Sequence, residues 1–229
     1  MAAPLMSMDM NIKRLIYLLL LLPAFLQGQT IPVMLFPYTS ASESVVYSDD
    51  FEGYNTGQDL DNDGEWNMIT GSIDLYDNSG DNVVTPDNAD DRSYYYYNAT
   101  LDADQYAELT VDALTSSRYM GPSVRGSTTV MTCYYFYVSN NASYLRRIVS
   151  GGSNTTLATG GAYAADDVVR LEVEGDVLSC FKNGVLDTSI DTDGKYTDDS
   201  GDKLTSGVAG MMGYGTGATY ADEWEGGEL

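Results

Sequence analysis

Residues 168–185 read VVRLEVEGDVLSCFKNGV, and this stretch decides the fold class. Apolar and charged residues alternate over 169–174, which is typical of a half-buried strand. Gly175-Asp176 then predicts a tight turn, apolar residues return at 177–181, and Asn183-Gly184 predicts a second turn. The stretch therefore predicts antiparallel hairpins and an all-β fold.

The same pattern of short strand-like segments separated by turn residues continues along most of the chain. Clusters of Gly, Asn and Asp separate short segments rich in β-branched and aromatic residues, and no helical period is sustained after the N-terminus. Many short strands at roughly ten-residue spacing predict an antiparallel β-sandwich jelly roll. The predicted strands are 45–51, 67–76, 93–98, 104–113, 118–126, 130–138, 143–150, 154–158, 167–174, 177–182, 205–213 and 219–225.

Composition excludes several functions. The chain has 229 residues, no histidine and a formal net charge of −23. Without histidine, neither a Ser-His-Asp triad nor a His-ligated zinc site can form. So acidic a surface repels nucleic-acid phosphates, so no nucleic-acid partner is expected. Neutral or cationic partners and Ca²⁺ remain compatible with the charge, which can also serve solubility alone.

The N-terminal 45 residues differ from the rest. Residues 1–28 are typical of an export signal, with Lys13-Arg14 before a hydrophobic run that is too short to span a bilayer. They predict a secreted or surface-exposed protein; the alternative is a retained anchor or assembly arm. Residues 29–45, with an apolar stretch between two prolines, predict an extended arm that covers its own domain or docks to a neighbour in an assembly. The sandwich domain is expected at 46–229.

Several pieces of the domain resemble one family. They are SDDFEGY at 48–54, EW at 65–66, DQYAELTV at 104–111, YMGPSVRG at 119–126, YYFYV at 134–138, the hairpin, and DEWEG at 222–226. In this order they resemble the concanavalin A-like lectin/glucanase jelly rolls, in particular the laminin-G-like modules. The resemblance implies two curved sheets, glycan or protein ligands on the concave face or rim loops, and often a structural Ca²⁺ where the first and last strands meet.

The glucanases of this family carry a Glu-x-Asp-x-x-Glu pattern on one strand, and this sequence has none. No catalytic activity is therefore expected. Asp59, Asp61 and Asp63 precede Gly64 at the spacing of the first half of an EF-hand loop, but position twelve is Thr70. The loop can hold Ca²⁺ or can be a simple acidic turn. The resemblance suggests a separate Ca²⁺ site that includes Asp50 and Asp222.

The 19 tyrosines are the main clue to a ligand. Alternation puts Tyr95 and Tyr97 on one face of a strand, and Tyr135 and Tyr137 on one face of another. Exposed tyrosine rings beside Asn and Asp can stack on sugars, although tyrosine also fills sheets as a good strand former. The predicted ligand-binding residues are Tyr95, Tyr97, Tyr135, Tyr137, Arg118, Arg125 and Asn140, the arginines for a sugar carboxylate or for ion pairs.

Cys133 and Cys180 are the only cysteines, and the sequence leaves open a disulfide or two buried thiols. Taken together, these observations predict a non-catalytic, lectin-like module that binds glycan. The alternative function is structural: a phage virion protein or a subunit of an extracellular assembly, in which residues 29–45 dock to neighbours.

Overall fold

The computed structural model describes residues 44–229, without the side chains of residues 63 and 88–91. The predicted segments 1–28 and 29–45 lie outside this range, except for the last two residues of the arm. Within the described range, no helix is long and apolar enough to cross a membrane. A short 3₁₀ helix, Leu60–Asp63, interrupts a described range that is otherwise made of strands, turns and loops.

Fifteen strands make up the described domain. In chain order they are β1 Val46–Asp49, β2 Trp66–Thr70, β3 Ile73–Asp77, β4 Asn82–Tyr97, β5 Gln105–Ala113, β6 Tyr119–Gly126, β7 Cys133–Val138, β8 Ser143–Ile148, β9 Thr155–Gly160, β10 Asp167–Glu174, β11 Val177–Lys182, β12 Val185–Leu186, β13 Lys195–Thr197, β14 Val208–Thr216 and β15 Tyr220–Glu228.

The strands form two antiparallel sheets. Sheet A has the order β3-β4-β15-β5-β10-β11, with β1 beside β15 and with β12 and β13 beside β11. Sheet B has the order β2-β4-β14-β6-β7-β8-β9. The hairpin predicted within residues 168–185 is β10–β11, and its pairs run from Val169↔Lys182 to Glu174↔Val177. The prediction of an antiparallel sandwich is confirmed.

Strand β4 belongs to both sheets. Its first residues, 82–86, pair with β3 in sheet A, and residues 92–96 pair with β14 in sheet B. The sequence predicted only its second half, 93–98, because Pro86 and the acidic run after it read as a loop. The predicted strand 67–76 is likewise two strands, β2 and β3. They part at Gly71, whose φ of +80° favours glycine.

The sandwich has two hydrophobic clusters. The larger lies between the sheets and includes Trp66, Trp224, Phe51, Leu109 and Tyr134. The smaller includes Tyr94, Cys133, Tyr135, Tyr137 and Met212, all on the opposite face of sheet B. The second cluster means that the side of sheet B away from the core is itself apolar and aromatic, and this face carries the candidate site.

Candidate functional site

The face of sheet B that points away from the core is rich in tyrosine. Register decides which residues share it: Tyr94 and Met212 are paired across β4 and β14, and Tyr137 and Tyr144 across β7 and β8. Alternation then adds every second residue along each strand. We call this surface the tyrosine face; it comprises Arg92, Tyr94, Tyr96, Tyr119, Tyr135, Tyr137, Tyr144, Arg146, Met212 and Tyr214.

A cavity of about 560 Å³ opens on the tyrosine face. Strands β4, β6, β7, β8 and β14 each contribute to it, and the loop before β6 supplies Ser116 and Ser117. Its lining comprises these two serines, Arg92, Tyr119, Tyr137, Arg146, Asn154 and Tyr214. Aromatic rings with hydroxyl, amide and guanidinium groups at one depression are the usual composition of a small-molecule site.

Tyr119 stands at the centre of the aromatic part. Its ring centroid lies 5.9 Å from that of Tyr137, 5.7 Å from Tyr144 and 6.2 Å from Tyr214. Tyr137 is the buried floor: its hydroxyl donates to the Gly213 carbonyl at 2.8 Å, and burial raises its pKa well above the ordinary value. The rings of Tyr119 and Tyr214 are only half-buried and remain accessible from the cavity.

Two arginines flank these rings. The Nη1 of Arg92 donates to Asn154 Oδ1 at 2.6 Å, which joins β4 to the start of β9 across the cavity. The guanidinium of Arg146 lies 4.5 Å from the centre of the Tyr144 ring. Its Nε is buried without a hydrogen-bond partner among the described residues. Both guanidiniums oppose the burial-driven rise in the pKa of Tyr137, so each acts on the Tyr137 hydroxyl as a positive charge.

A second cavity, of about 600 Å³, lies beside β1, β5 and β15 and is lined mainly by carboxylates. Several of these already have partners. Asp49 accepts hydrogen bonds from the Trp66 indole at 2.7 Å and from the Phe51 amide at 2.8 Å. Glu225 accepts one from Tyr106 at 2.5 Å. These carboxylates therefore brace the junction of β1, β2 and β15.

The first aspartate of the predicted metal loop, Asp59, forms hydrogen bonds within the domain. The Asp59 carboxylate accepts hydrogen bonds from the hydroxyls of Tyr95 and Ser72, one on each oxygen. Burial and the neighbouring Asp59 charge raise the pKa of Asp61, and the side chain of Asp63 is not described. Among the side chains that the structure describes, which do not include that of Asp63, no three acidic or cysteine groups are placed to hold a metal ion. Both oxygens of Asp59 are therefore engaged within the domain.

The other predicted metal ligands, Asp50 and Asp222, differ in their surroundings. Asp50 is exposed and accepts the Glu52 amide at 3.2 Å. Burial and the charges of Asp81, Glu223 and Glu52 raise the pKa of Asp222 to about 6. The end of the sandwich where β15 begins therefore carries crowded negative charge.

This crowding predicts a pH effect on stability. Between pH 4 and 6 the folded chain holds a proton on Asp222 that the unfolded chain has released, so stability falls as pH rises through that window. Asp222→Asn should be more stable than the wild type by about 1 kcal/mol above pH 6, after allowance for solvent screening. Below pH 4 the two should converge. Urea unfolding of both proteins at pH 4 and at pH 7.5 measures this difference. If the wild type and Asp222→Asn were equally stable at pH 7.5 as well as at pH 4, the prediction would be contradicted.

The structure places most of the predicted ligand-binding residues outside the lining of this cavity. Tyr95 faces the core, where its hydroxyl holds Asp59 and the Ile73 amide. Tyr97 packs between Trp66 and Trp224 and donates to Glu65. Tyr95 and Tyr97 share one face of β4, as alternation predicts, and this face packs against the core.

The remaining predicted residues are distributed around the site. Tyr137 lines the cavity, and Tyr135 is fully buried beneath the tyrosine face. Arg125 is buried and donates to the carbonyls of Ala103 and Leu204, both at 2.8 Å, so its role is structural. Arg118 donates to the Thr216 carbonyl, and Asn140 stands exposed in the β7–β8 loop; neither lines the cavity.

Sequence reasoning missed Arg92, Tyr119, Arg146, Asn154 and Tyr214. One signal was present: Tyr144 and Arg146 are two residues apart in β8 and so share a face. The cysteines are also settled, since Cys133 and Cys180 are both free and buried. Cys133 belongs to the tyrosine-face cluster and Cys180 to the central core.

Solved structures share this architecture. A carbohydrate-binding module, CBM66 from Bacillus subtilis, aligns with a TM-score of 0.53 at 13% identity over 69% of this chain and 91% of that one. The Ca²⁺-bound exoplasmic/lumenal domain of VIP36 aligns at 0.50 and 12% identity over 72% and 84%. The likeness concerns the fold, an antiparallel β-sandwich jelly roll.

The jelly roll also carries enzymes. The apo Crh5 transglycosylase aligns with a TM-score of 0.53 at 10% identity over 80% of this chain and 83% of that one. At such identities the likeness concerns the fold, and function must be argued from the site. No family profile and no curated protein matches the sequence.

Proposed function

We propose that this jelly roll is a non-catalytic carbohydrate-binding module whose ligand lies in the cavity of the tyrosine face. The observation that carries the proposal is the pair of half-exposed rings, Tyr119 and Tyr214, beside the polar bridge between Arg92 and Asn154. The C–H face of a sugar can stack on the rings, while the amide, hydroxyl and guanidinium groups bind its hydroxyls. CBM66 is a carbohydrate-binding module on a similar fold.

Binding without catalysis is supported by the chemistry of the same surface. Glycoside hydrolysis requires two carboxyl groups on either side of the bond that is cleaved. The described side chains that line the cavity include serine, tyrosine, asparagine and arginine but no carboxylate. The acidic side chains of the second cavity largely accept hydrogen bonds from tyrosine, tryptophan and backbone groups. We therefore propose that no glycosidic bond is cleaved.

Truncation of the rings tests the proposal. We expect Tyr119→Ala and Tyr214→Ala each to weaken glycan binding about tenfold or more, because each removes a stacking surface worth roughly 1.4 kcal/mol. A glycan array followed by calorimetry on the best ligand measures this. Tyr76→Ala is the matched control, since Tyr76 is an exposed tyrosine that stacks on Tyr220 in sheet A. Glycan binding that survives both truncations, or the absence of any glycan ligand, would contradict the proposal.

A Ca²⁺ ion has no assigned ligands in this proposal. The VIP36 domain is a Ca²⁺-bound form, but the carboxylate of Asp59 is already occupied here by Tyr95 and Ser72. The crowded acidic end around Asp222 is where a cation would relieve repulsion. Thermal unfolding in Ca²⁺ and in a chelator separates the cases: a rise in Tm that Asp222→Asn abolishes would place an ion there.

Secretion is part of the proposal, on the strength of the export-signal pattern of residues 1–28. The alternative role in a virion or extracellular assembly depends on residues 29–45, nearly all of which lie outside the described range. The intact mass and native size of the protein from its source distinguish the two. A monomer that begins near Gln29 supports an exported module, whereas a large assembly that keeps the leader supports the structural role.

A further inference from the structure

This protein has few cationic side chains, and more than half of the described ones form ion pairs. The chain has 11 Lys and Arg residues against 34 Asp and Glu residues. Among the described residues, Arg125, Arg147, Arg170, Lys182 and Lys203 each form an ion pair with an acidic side chain. A cationic side chain that faces a cavity without an acidic partner is therefore unusual in this molecule.

Arg146 is such a side chain. It lines the cavity of the tyrosine face, and none of the ion pairs among the described residues includes it. Its Nε has no hydrogen-bond partner among those residues, while its guanidinium interacts with the Tyr135 hydroxyl and opposes the burial-driven rise in the pKa of Tyr135. Its position is nevertheless defined, because it stacks over the ring of Tyr144 at 4.5 Å and its Nε is buried. A guanidinium held in this way can bind a carboxylate through two parallel hydrogen bonds at little further entropic cost.

Arg92 lies at the same cavity and adds a second positive charge. Its Nη1 is engaged by Asn154 and by the Gly152 carbonyl at 3.4 Å, so it is held at the rim. Arg92 and Arg146 thus place two guanidiniums at one cavity of a molecule whose net charge is −23. Long-range repulsion then disfavours a densely charged polyanion, whereas a single negative group can still be accommodated locally.

We propose that the preferred ligand is a largely neutral glycan with a single carboxylate-bearing sugar, whose carboxylate is bound by Arg146 while its ring stacks on Tyr119 or Tyr214. This inference rests on the proposed function and specifies its ligand. The selectivity comes from the acceptor: a carboxylate offers the Arg146 fork two charged oxygens, whereas the hydroxyl of a neutral sugar in the same place offers one neutral oxygen and a weaker hydrogen bond.

The test compares two matched probes. One is an oligosaccharide that ends in glucuronic acid, and the other is the same oligosaccharide with its carboxyl group reduced to the alcohol. We expect calorimetry to show at least tenfold tighter binding of the acid. Arg146→Gln should remove this difference, so that the two probes bind the variant with equal affinity. Arg146→Lys should retain part of it, because the charge remains but the planar fork is lost.

Lys195→Gln serves as the control, because it makes the same change in net charge on an exposed strand of sheet A. It should leave both affinities unchanged. Heparin, a dense polyanion, should bind more weakly than the acidic oligosaccharide. If both probes bind equally and Tyr119→Ala abolishes binding, the carbohydrate proposal stands and the acidic-sugar inference is overturned. If neither probe nor any glycan binds, both are overturned. Selectivity that survives in Arg146→Gln would also overturn the inference.

Discussion

Asp198→Asn is expected to destabilise the protein by about 3 kcal/mol, because it leaves a buried guanidinium without its counter-charge. The Arg147 and Asp198 side chains are 7% and 2% exposed, and their closest N···O distance is 2.6 Å. Tyr134 donates to the same carboxylate at 2.6 Å. This network ties sheet B to residues 198–204, which carry no strand of their own, and urea unfolding at neutral pH measures its contribution.

Asp202→Asn is the matched control. Asp202 also faces Arg147, at 3.8 Å, but is 77% exposed. Its loss should cost less than about 0.5 kcal/mol, as is usual for surface pairs. Equal effects of the two variants would contradict the assignment of the buried network as the stabilising one.

The same network should show itself in acid. Burial alone would raise the pKa of Asp198, but hydrogen bonds from Ser200, Tyr134 and Arg147 hold it below its ordinary value of 3.8. A carboxylate with a lowered pKa contributes stability that is complete above pH 4 and disappears as the pH falls through the folded-state value. The difference in the free energy of unfolding between the wild type and Asp198→Asn should therefore be largest at pH 7 and should decrease as the pH falls below 4.

Trp66→Ala should cost about 3–5 kcal/mol, the range for loss of a buried large aromatic side chain. Trp66 is 1% exposed, and its ring centroid lies 4.8 Å from that of Trp224 and 5.4 Å from that of Tyr97. Its indole N–H also donates to Asp49 at 2.7 Å. The substitution opens a cavity and removes a partner of that carboxylate at the point where β1, β2 and β15 meet.

Trp66→Phe separates the two contributions. It keeps most of the ring but loses the N–H, so it should cost about 1–2 kcal/mol. Circular dichroism during urea unfolding suits both variants, and the remaining tryptophan, Trp224, provides a fluorescence signal. If Trp66→Ala lost less than about 1 kcal/mol, the packing of this aromatic cluster would not be the main support of the core.

Most of the fold could be predicted because its signals are local. The β10–β11 hairpin follows from alternation and two turns within 18 residues, and the other strands are bounded by Gly, Asn and Asp in the same way. Strand β4 could not be read in full. A proline and a run of polar residues are poor strand formers alone, but residues 82–86 find partners in β3, which only the folded chain brings beside them.

The sequence predicted the kind of site, one with stacking tyrosine rings, but not most of the residues that line it. The abundance of tyrosine pointed to ring stacking, and alternation correctly paired Tyr95 with Tyr97. Alternation could not tell which face of β4 packs against the core, because period two is the same for both faces of a strand. The inner face of β4 is covered by sheet A, and Tyr97 packs there against Trp224. The tyrosines of the opposite face became available to the cavity for that reason.

The sequence by itself determined the all-β class, the antiparallel pairing and the exclusion of histidine chemistry, since each depends on composition or on neighbours within a few residues. Only the tertiary structure decided that Arg92, Tyr119, Arg146 and Tyr214 line one cavity. They come from four strands that are far apart in sequence, and the order β4-β14-β6-β7-β8 brings them together. It also decided that Asp59 binds Tyr95 and Ser72, because partners for a carboxylate are chosen by distance in space.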